Sequence, residues 1–247
     1  MEPYEFKLIA KLTIESLYPS ATRPDESNIL SNGIRYRAPD YRIDSEKILI
    51  ELKSLNPVKN PYEVLQKIAT KQGKPFRAYG EIATQSVLQN LPNAMEANRN
   101  FKTTMLKQLE ENIRSAAEQF KQYQVHCPME DYIRIIIITD NDASGAVDTN
   151  SHEYEIGRLM GGTLGTSCKS GLTDAIVYLR SPNYVLTGDY SYWMKVICKS
   201  GKSENSVIDQ FIRQFHTLLT EKLFVNKRDP HANLLRILRV NKEGSLR

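Results

Sequence analysis

The sequence has few cysteines and few histidines, which argues against two common kinds of stabilising site. Its three cysteines, Cys127, Cys168 and Cys198, are far apart and form no CxxC pair. An odd number of separated cysteines does not build a disulfide framework, so we expect a reducing, cytoplasmic environment. The four histidines are scattered as well. Zinc is therefore not an expected ligand, because zinc sites group Cys and His at short spacing.

Long apolar runs are also missing. The longest one, Ile135 to Ile138, has the length of a strand, whereas a membrane-spanning helix needs about 20 apolar residues. The first residues begin with an acid and mix charges with apolar side chains, which is not the pattern of a signal peptide. We therefore expect no membrane partner.

No charge of one sign dominates the chain. Its 33 Lys and Arg against 29 Asp and Glu give a formal net charge of +4. Hydrophobic residues make up 40% and charged residues 25%, which is typical of an ordinary globular protein. This mildly basic balance suits a nucleic-acid partner, but many proteins without such a partner share it. At 247 residues, the chain is expected to form a single domain over 1–247.

What is present is an alternation of helical and strand-like segments, which predicts an α/β fold with a mixed central sheet. Helical spacing is strongest over 95–124, and residues 73–93 are ambiguous. The other predicted helices are 4–18, 61–72, 152–160, 204–224 and 231–240. The predicted strands are 34–43, 47–54, 132–139, 174–179 and 190–198.

The most informative segment is APDYRIDSEKILIELKS, residues 38–54. A hairpin turn over 44–47 places Asp40 opposite Glu51. Because alternate residues of a strand share a face, Glu51 and Lys53 point to the same side as Asp40, and the isoleucines and leucine between them point into a core. The sequence therefore predicts two carboxylates and a lysine on one face of a sheet.

This grouping has a definite chemistry. Two adjacent carboxylates repel each other unless a cation lies between them. Carboxylate oxygens, with room left for water and phosphate, are ligands that Mg²⁺ accepts. A neighbouring lysine stabilises charge that develops at phosphorus, or positions the attacking water. The pattern therefore predicts a centre that hydrolyses phosphodiester bonds.

The hairpin also has a simpler interpretation. Glu and Lys alternating with apolar residues are common on solvated strand faces, and Asp40 and Glu51 would then be unrelated surface acids of a structural domain. Pro39 adds a second alternative, because it indicates an edge strand or a bulge. A bulge of one residue would turn Asp40 away from Glu51.

Pro39-Asp40, ten intervening residues and Glu51-Leu52-Lys53 resemble the PD-(D/E)xK superfamily of restriction-endonuclease-like nucleases. The resemblance covers about 1–140 and leaves 141–247 as a C-terminal elaboration. It implies a three-layer fold with helices flanking the central sheet, and a nuclease dependent on Mg²⁺ or Mn²⁺. Asp40 and Glu51 would hold the metal, and Lys53 would position water. DNA is implied as the substrate in preference to RNA, and a homodimer is compatible with the family.

Further residues follow from the same resemblance. Some branches carry QxxxY on a helix after the motif strands, and Gln119 and Tyr123 match this spacing. They would orient the substrate or the lysine, although Tyr123 has a simple core aromatic as its alternative. Their distance from the motif implies an insertion at 73–93. In several branches an acid on the first helix completes the metal shell, and Glu15 is the candidate here, with a surface glutamate as the alternative.

Basic residues near the hairpin are candidates for binding nucleic acid. Arg35, Arg37 and Arg42 are placed to contact phosphates, and Lys169 follows a Gly-rich segment. The alternative function is a catalytically silent module of the nuclease fold, which binds nucleic acid or serves as an assembly subunit.

Overall fold

The computed structural model describes residues 3–24, 33, 35–55, 60–76, 84–127, 131–140, 151–152, 155–157, 159, 173–180, 193–198 and 205–224. The helices within these ranges are α1 (Pro3–Leu17), α2 (Pro61–Lys71), α3 (Thr84–Gln89), α4 (Ala94–His126) and α5 (Ser206–Phe224). The strands are β1 (Tyr41–Ile43), β2 (Ile48–Leu55), β3 (Ile133–Asp140), β4 (Ala175–Arg180) and β5 (Trp193–Cys198).

The five strands form one mixed sheet in the order β1-β2-β3-β4-β5. Strands β2, β3 and β4 are parallel, and the edge strands β1 and β5 run antiparallel to their neighbours. Every residue of β3 and β4 is buried. Parallel strands covered on both faces need continuous β-branched or apolar runs, so the predicted buried strand over 132–139 is confirmed.

Helices cover both faces of this sheet. On one face, α1 and α5 bury aromatic and aliphatic side chains such as Phe6, Ile14 and Phe215. On the other face, α4 buries residues that include Phe101 and Phe120. Each such side chain contributes about 1.5–3 kcal/mol when it is fully buried. The predicted α/β class with a mixed central sheet is confirmed, and the layers are compatible with a three-layer arrangement.

The long helix α4 is fixed at its first residues by Asn93. The Asn93 side chain accepts a hydrogen bond from the backbone N–H of Glu96 (3.2 Å) and donates one to its carboxylate (2.8 Å). The backbone of Asn93 is itself held by the Gln72 side chain, whose two amide atoms lie 3.0 and 3.2 Å away. These bonds satisfy groups that the helix leaves unpaired. They also connect the start of α4 to the end of α2.

We expect Asn93→Ala to lower the free energy of unfolding by about 1 kcal/mol, because the helix cap is lost. Asn100→Ala is the matched control, since Asn100 lies exposed inside α4 and alanine favours helix interiors. Urea unfolding of both variants tests the expectation. Equal losses in the two variants would contradict it.

Strand β1 is shorter than predicted, because it begins at Tyr41 and not at residue 34. Pro39 has no N–H to contribute to a strand ladder. The chain before it leaves the sheet and follows α4, where Gln122 accepts from the backbone of Arg37 (3.3 Å) and Gln119 donates to the carbonyl of Ala38 (3.1 Å). The strand predicted over 34–43 is therefore reduced to the short edge strand β1, which begins after Pro39.

The remaining segment predictions have mixed outcomes. The helices predicted at 4–18, 61–72, 95–124 and 204–224 are confirmed, and the ambiguous stretch 73–93 contains α3. Residues 152, 155–157 and 159 are helical, within the helix predicted over 152–160. The predicted helix over 231–240 lies outside the described residues. No helix in the described ranges is long and apolar enough to cross a bilayer.

Candidate metal centre

The hairpin has the register that places Asp40 next to Glu51. Strand partners are Tyr41 with Ile50 and Ile43 with Ile48, so one further step along both strands pairs Asp40 with Glu51. The ladder contains no extra residue, and the bulge that would turn Asp40 away is absent from β1 and β2. The predicted turn over 44–47 is therefore confirmed.

Two hydrogen bonds, one to its carboxylate and one from its backbone, tie Asp40 to β2. Its Oδ2 accepts from the backbone N–H of Leu52 at 2.7 Å. The backbone N–H of Asp40 donates in turn to Oε2 of Glu51 at 3.2 Å. The Asp40 carboxylate thus accepts from a backbone N–H of β2, as a carbonyl of a neighbouring strand would. The two carboxyl groups are held side by side as a result.

Lys53 and Gln119 complete the group. Nζ of Lys53 lies 2.5 Å from Oε1 of Glu51 and donates to Oε1 of Gln119 at 2.6 Å. The other end of the Gln119 amide donates to the carbonyl of Ala38 at 3.1 Å. Gln119 therefore holds the ammonium beside Glu51, and its predicted role in orienting the substrate or the lysine stays a prediction. We call Asp40, Glu51, Lys53 and Gln119 the carboxylate–lysine network.

Burial dominates the electrostatics of this network. Glu51 is only 2% exposed. Burial and, after it, the Asp40 carboxylate raise the pKa of Glu51 to about 7, against the opposing effect of Lys53. An ionised carboxylate is unfavourable in such a place unless positive charge compensates it. One lysine does not fully compensate two neighbouring acids, so the network favours an additional cation.

The donor chemistry fits Mg²⁺ or Mn²⁺. Mg²⁺ keeps several waters and is commonly held by one or two carboxylates together with substrate phosphate. Asp40 and Glu51 supply that number of hard oxygen ligands. No group of three or more His, Cys, Asp and Glu side chains in the described ranges is arranged to hold a metal ion. A site made entirely of protein ligands is thus not what these residues form.

The raised pKa of Glu51 makes the stability of the metal-free protein depend on pH. Folded Glu51 keeps its proton up to about 7, whereas an ordinary Glu releases it near 4.5, so the folded state binds more protons over that interval. The stability gained from the protonated group is complete below pH 4.5 and is lost as the pH rises through 7.

We therefore expect the free energy of unfolding in EDTA to fall between about pH 5 and about pH 8, by up to about 3 kcal/mol more than in Glu51→Gln. Glutamine cannot titrate, so the difference between the two proteins isolates Glu51. Urea titrations at both pH values provide the measurement. Equal pH dependence in the two proteins would contradict the raised pKa.

Glu15 lies outside the carboxylate pair. Its Oε1 accepts from the hydroxyl of Tyr41 at 3.0 Å and lies 4.0 Å from Nζ of Lys11. Burial and the Glu15 carboxylate both raise the pKa of Tyr41. Because Tyr41 directly follows Asp40, these contacts make Glu15 a support for the hairpin. Its predicted place as a third metal ligand stays a prediction.

Tyr123 lies one helical turn beyond Gln119 and is buried. Its ring stacks on Tyr36 with centroids 6.1 Å apart, and burial raises the pKa of its hydroxyl while the nearby Arg42 opposes that rise. These contacts agree with the core-aromatic alternative. The stacking on Tyr36 holds the chain segment that leads to Asp40. Tyr123 therefore supports the position of Asp40 indirectly.

The predicted phosphate contacts differ in their surroundings. The guanidinium of Arg42 is already engaged by Asp44, with Nε 2.6 Å from Oδ1. Arg35 and Arg37 are exposed and lie shortly before Asp40 and strand β1. Lys169 lies outside the described residues. The exposed pair is therefore better placed than Arg42 to meet a polyanion.

Sequence reasoning missed a buried polar cluster on the sheet face that carries Lys53. Asp140 ends β3 and accepts from the hydroxyl of Tyr178, and its Oδ2 lies 3.8 Å from Nε of Arg180. The ring of His152 stacks on Tyr178 at 5.3 Å. Charged residues at the carboxyl ends of parallel strands are the signal that would have indicated this cluster.

Comparison with protein-family models, with characterised proteins and with solved structures finds no match to this chain. The site is accordingly described by its own contacts. These contacts join Asp40, Glu51, Lys53 and Gln119 in one hydrogen-bonded group. They leave Glu15 beside that group.

Proposed function

We propose that this chain is a metal-dependent nuclease that hydrolyses phosphodiester bonds in DNA with Mg²⁺ or Mn²⁺. The observation that carries the proposal is the adjacency of Asp40 and Glu51, with the Lys53 ammonium 2.5 Å from Glu51. A buried acid beside a second, partly buried acid with one lysine is unfavourable for structure alone, and it suits a cation that binds phosphate. The choice of DNA, and of a restriction-endonuclease-like fold, follows from the resemblance of the motif.

Each member of the network has a role that its contacts support. Asp40 and Glu51 would hold the cation, which supplies Lewis-acid stabilisation of charge on the phosphoryl oxygens. Lys53 holds a positive charge next to the reacting phosphate and orients the attacking water. Gln119 fixes the lysine, because both ends of its amide are hydrogen-bonded. Such preorganised charges lower a barrier without reorganising during the reaction.

The arrangement of the strands agrees with this proposal. Asp40 immediately precedes β1, and Glu51 and Lys53 lie on β2, which pairs in parallel with the buried strand β3. Helix α4 follows and covers the face on which the network lies. The metal ligands are thus held by a rigid sheet, and the lysine is held from above by a helix.

The direct test is cleavage of single-stranded and duplex DNA by the purified chain with Mg²⁺, Mn²⁺ or EDTA. We expect product with either metal and none with EDTA. An RNA strand of the same sequence tests the choice of substrate. Binding of nucleic acid with no cleavage in either Mg²⁺ or Mn²⁺ would overturn the proposal and favour the silent module.

A further inference from the structure

Residues Arg35, Tyr36 and Arg37, called the RYR segment here, lie along the C-terminal part of α4. The Tyr36 ring is stacked on Tyr123, with centroids 6.1 Å apart and planes at 25°. It also lies 4.8 Å from the ring of His126. The backbone N–H of Arg37 donates to the side chain of Gln122 at 3.3 Å. Helix α4 thus contacts both a side chain and the backbone of the segment.

The RYR segment presents an aromatic ring between two cations. Both arginines are exposed and Tyr36 is partly exposed. No ion pair within the described part of the chain involves either guanidinium. Arg42, by contrast, is neutralised by Asp44 at 2.6 Å. Positive charge at the segment is therefore directed to solvent.

The segment also borders the carboxylate–lysine network. The carbonyl of Ala38 accepts from Gln119, which holds Lys53. Tyr123, under the Tyr36 ring, is one turn of α4 from Gln119, about 5.4 Å along the helix axis. Tyr36 lies four positions before Asp40, a distance of at most about 14 Å along the chain. A substrate strand at the metal centre would reach the RYR segment within a few nucleotides.

We infer that the RYR segment binds an unpaired nucleotide next to the scissile phosphate, with a base stacked on Tyr36 and phosphates held by Arg35 and Arg37. This inference rests on the proposed nuclease function. Aromatic rings and arginines together are the combination that binds single strands without reading sequence. Bases inside a duplex have both faces covered by their neighbours. The preferred substrate is therefore a single strand, or a duplex with a single-stranded end.

Binding to labelled oligothymidylate in EDTA tests the inference without cleavage. Fluorescence anisotropy should show tighter binding to the single strand than to a blunt duplex. Tyr36→Leu keeps an apolar contact with Tyr123 but cannot stack, and we expect it to weaken single-strand binding by about tenfold, within the range for one stacked base. Tyr36→Phe should bind like the parent. Plots of the logarithm of the binding constant against the logarithm of the salt concentration should become less steep in Arg35→Ala and in Arg37→Ala. The slope should change by about 0.7 for each phosphate contact that is lost.

Arg213→Ala is the matched control, because Arg213 is an exposed arginine on α5, which packs on the opposite sheet face. It should leave binding unchanged. Parent-like binding by both Tyr36→Leu and the two RYR arginine variants would overturn the inference, while Mg²⁺-dependent cleavage would still support the nuclease. Loss of binding in Tyr36→Leu, with no cleavage by the parent, would support the binding site and overturn the nuclease.

Discussion

Glu51→Gln should reduce Mg²⁺-dependent cleavage by about a thousandfold or more, since losing several kcal/mol of charge stabilisation costs a factor of ten per 1.36 kcal/mol. The amide has nearly the shape of the carboxyl group but no negative charge for the cation. Glu51 is almost fully buried beside Asp40, so a water-exposed acid cannot replace it. Calorimetric titration should show that Mg²⁺ affinity falls together with the rate.

The control for this substitution is Glu111→Gln. Glu111 pairs with Lys107 on α4 at 3.5 Å, and both side chains are more than half exposed, at 61% and 66%. The Glu51 and Lys53 pair has the same residue types, with side chains only 3% and 19% exposed. We expect Glu111→Gln to cleave like the parent. Unchanged cleavage in Glu51→Gln would remove Glu51 from the centre.

Lys53→Ala should reduce cleavage by about a hundred- to a thousandfold, the range for one preorganised charge-stabilising group. The Mg²⁺ affinity should not fall with it at a pH high enough to ionise Glu51 in both proteins, because the two carboxylates remain and a neighbouring positive charge is lost. This separation of rate from metal affinity distinguishes the lysine from a residue that only supports the fold. Single-turnover cleavage and Mg²⁺ titration of the same preparation give both quantities.

Lys107→Ala, which removes an exposed lysine of α4, is the matched control and should leave both quantities unchanged. Lys53→Arg should recover only part of the lost rate. Arginine keeps the charge, but its planar, forked group does not match the contact of Lys53 with Gln119. Loss of Mg²⁺ binding together with cleavage in Lys53→Ala would contradict the role assigned to the lysine.

The part of the centre that could be predicted from sequence is the part that is local in the chain. Alternation along β2 places Glu51 and Lys53 on one face, and a short turn determines which residue lies opposite Glu51. Both features appear in the observed register. The length of β1 was overestimated, because apolar and basic residues before Pro39 imitate a strand. In the structure Tyr36 packs on Tyr123 of α4 instead.

The partners of distant residues could not be predicted in the same way. Helical periodicity places Gln119 and Tyr123 on one face of α4, but it does not say what that face meets. Gln119 contacts Lys53, and Tyr123 contacts Tyr36 and Arg42. These pairings depend on how α4 docks on the sheet, which is set by the packing of many side chains. The same limitation left Glu15 a candidate on the resemblance alone, since its contact with Tyr41 joins elements distant in the chain.

The separation of these contacts along the chain bears on how the protein matures. Asp40 and Glu51 meet within one hairpin, 11 residues apart, whereas Lys53 and Gln119 are 66 residues apart. Closing a short loop loses less chain entropy than closing a long one. On a newly made chain, the acid pair is therefore expected to assemble first, and the lysine is locked only after α4 has docked. If the proposed function is correct, the growing chain would bind the cation first. It would become able to catalyse only later, when Lys53 is in place.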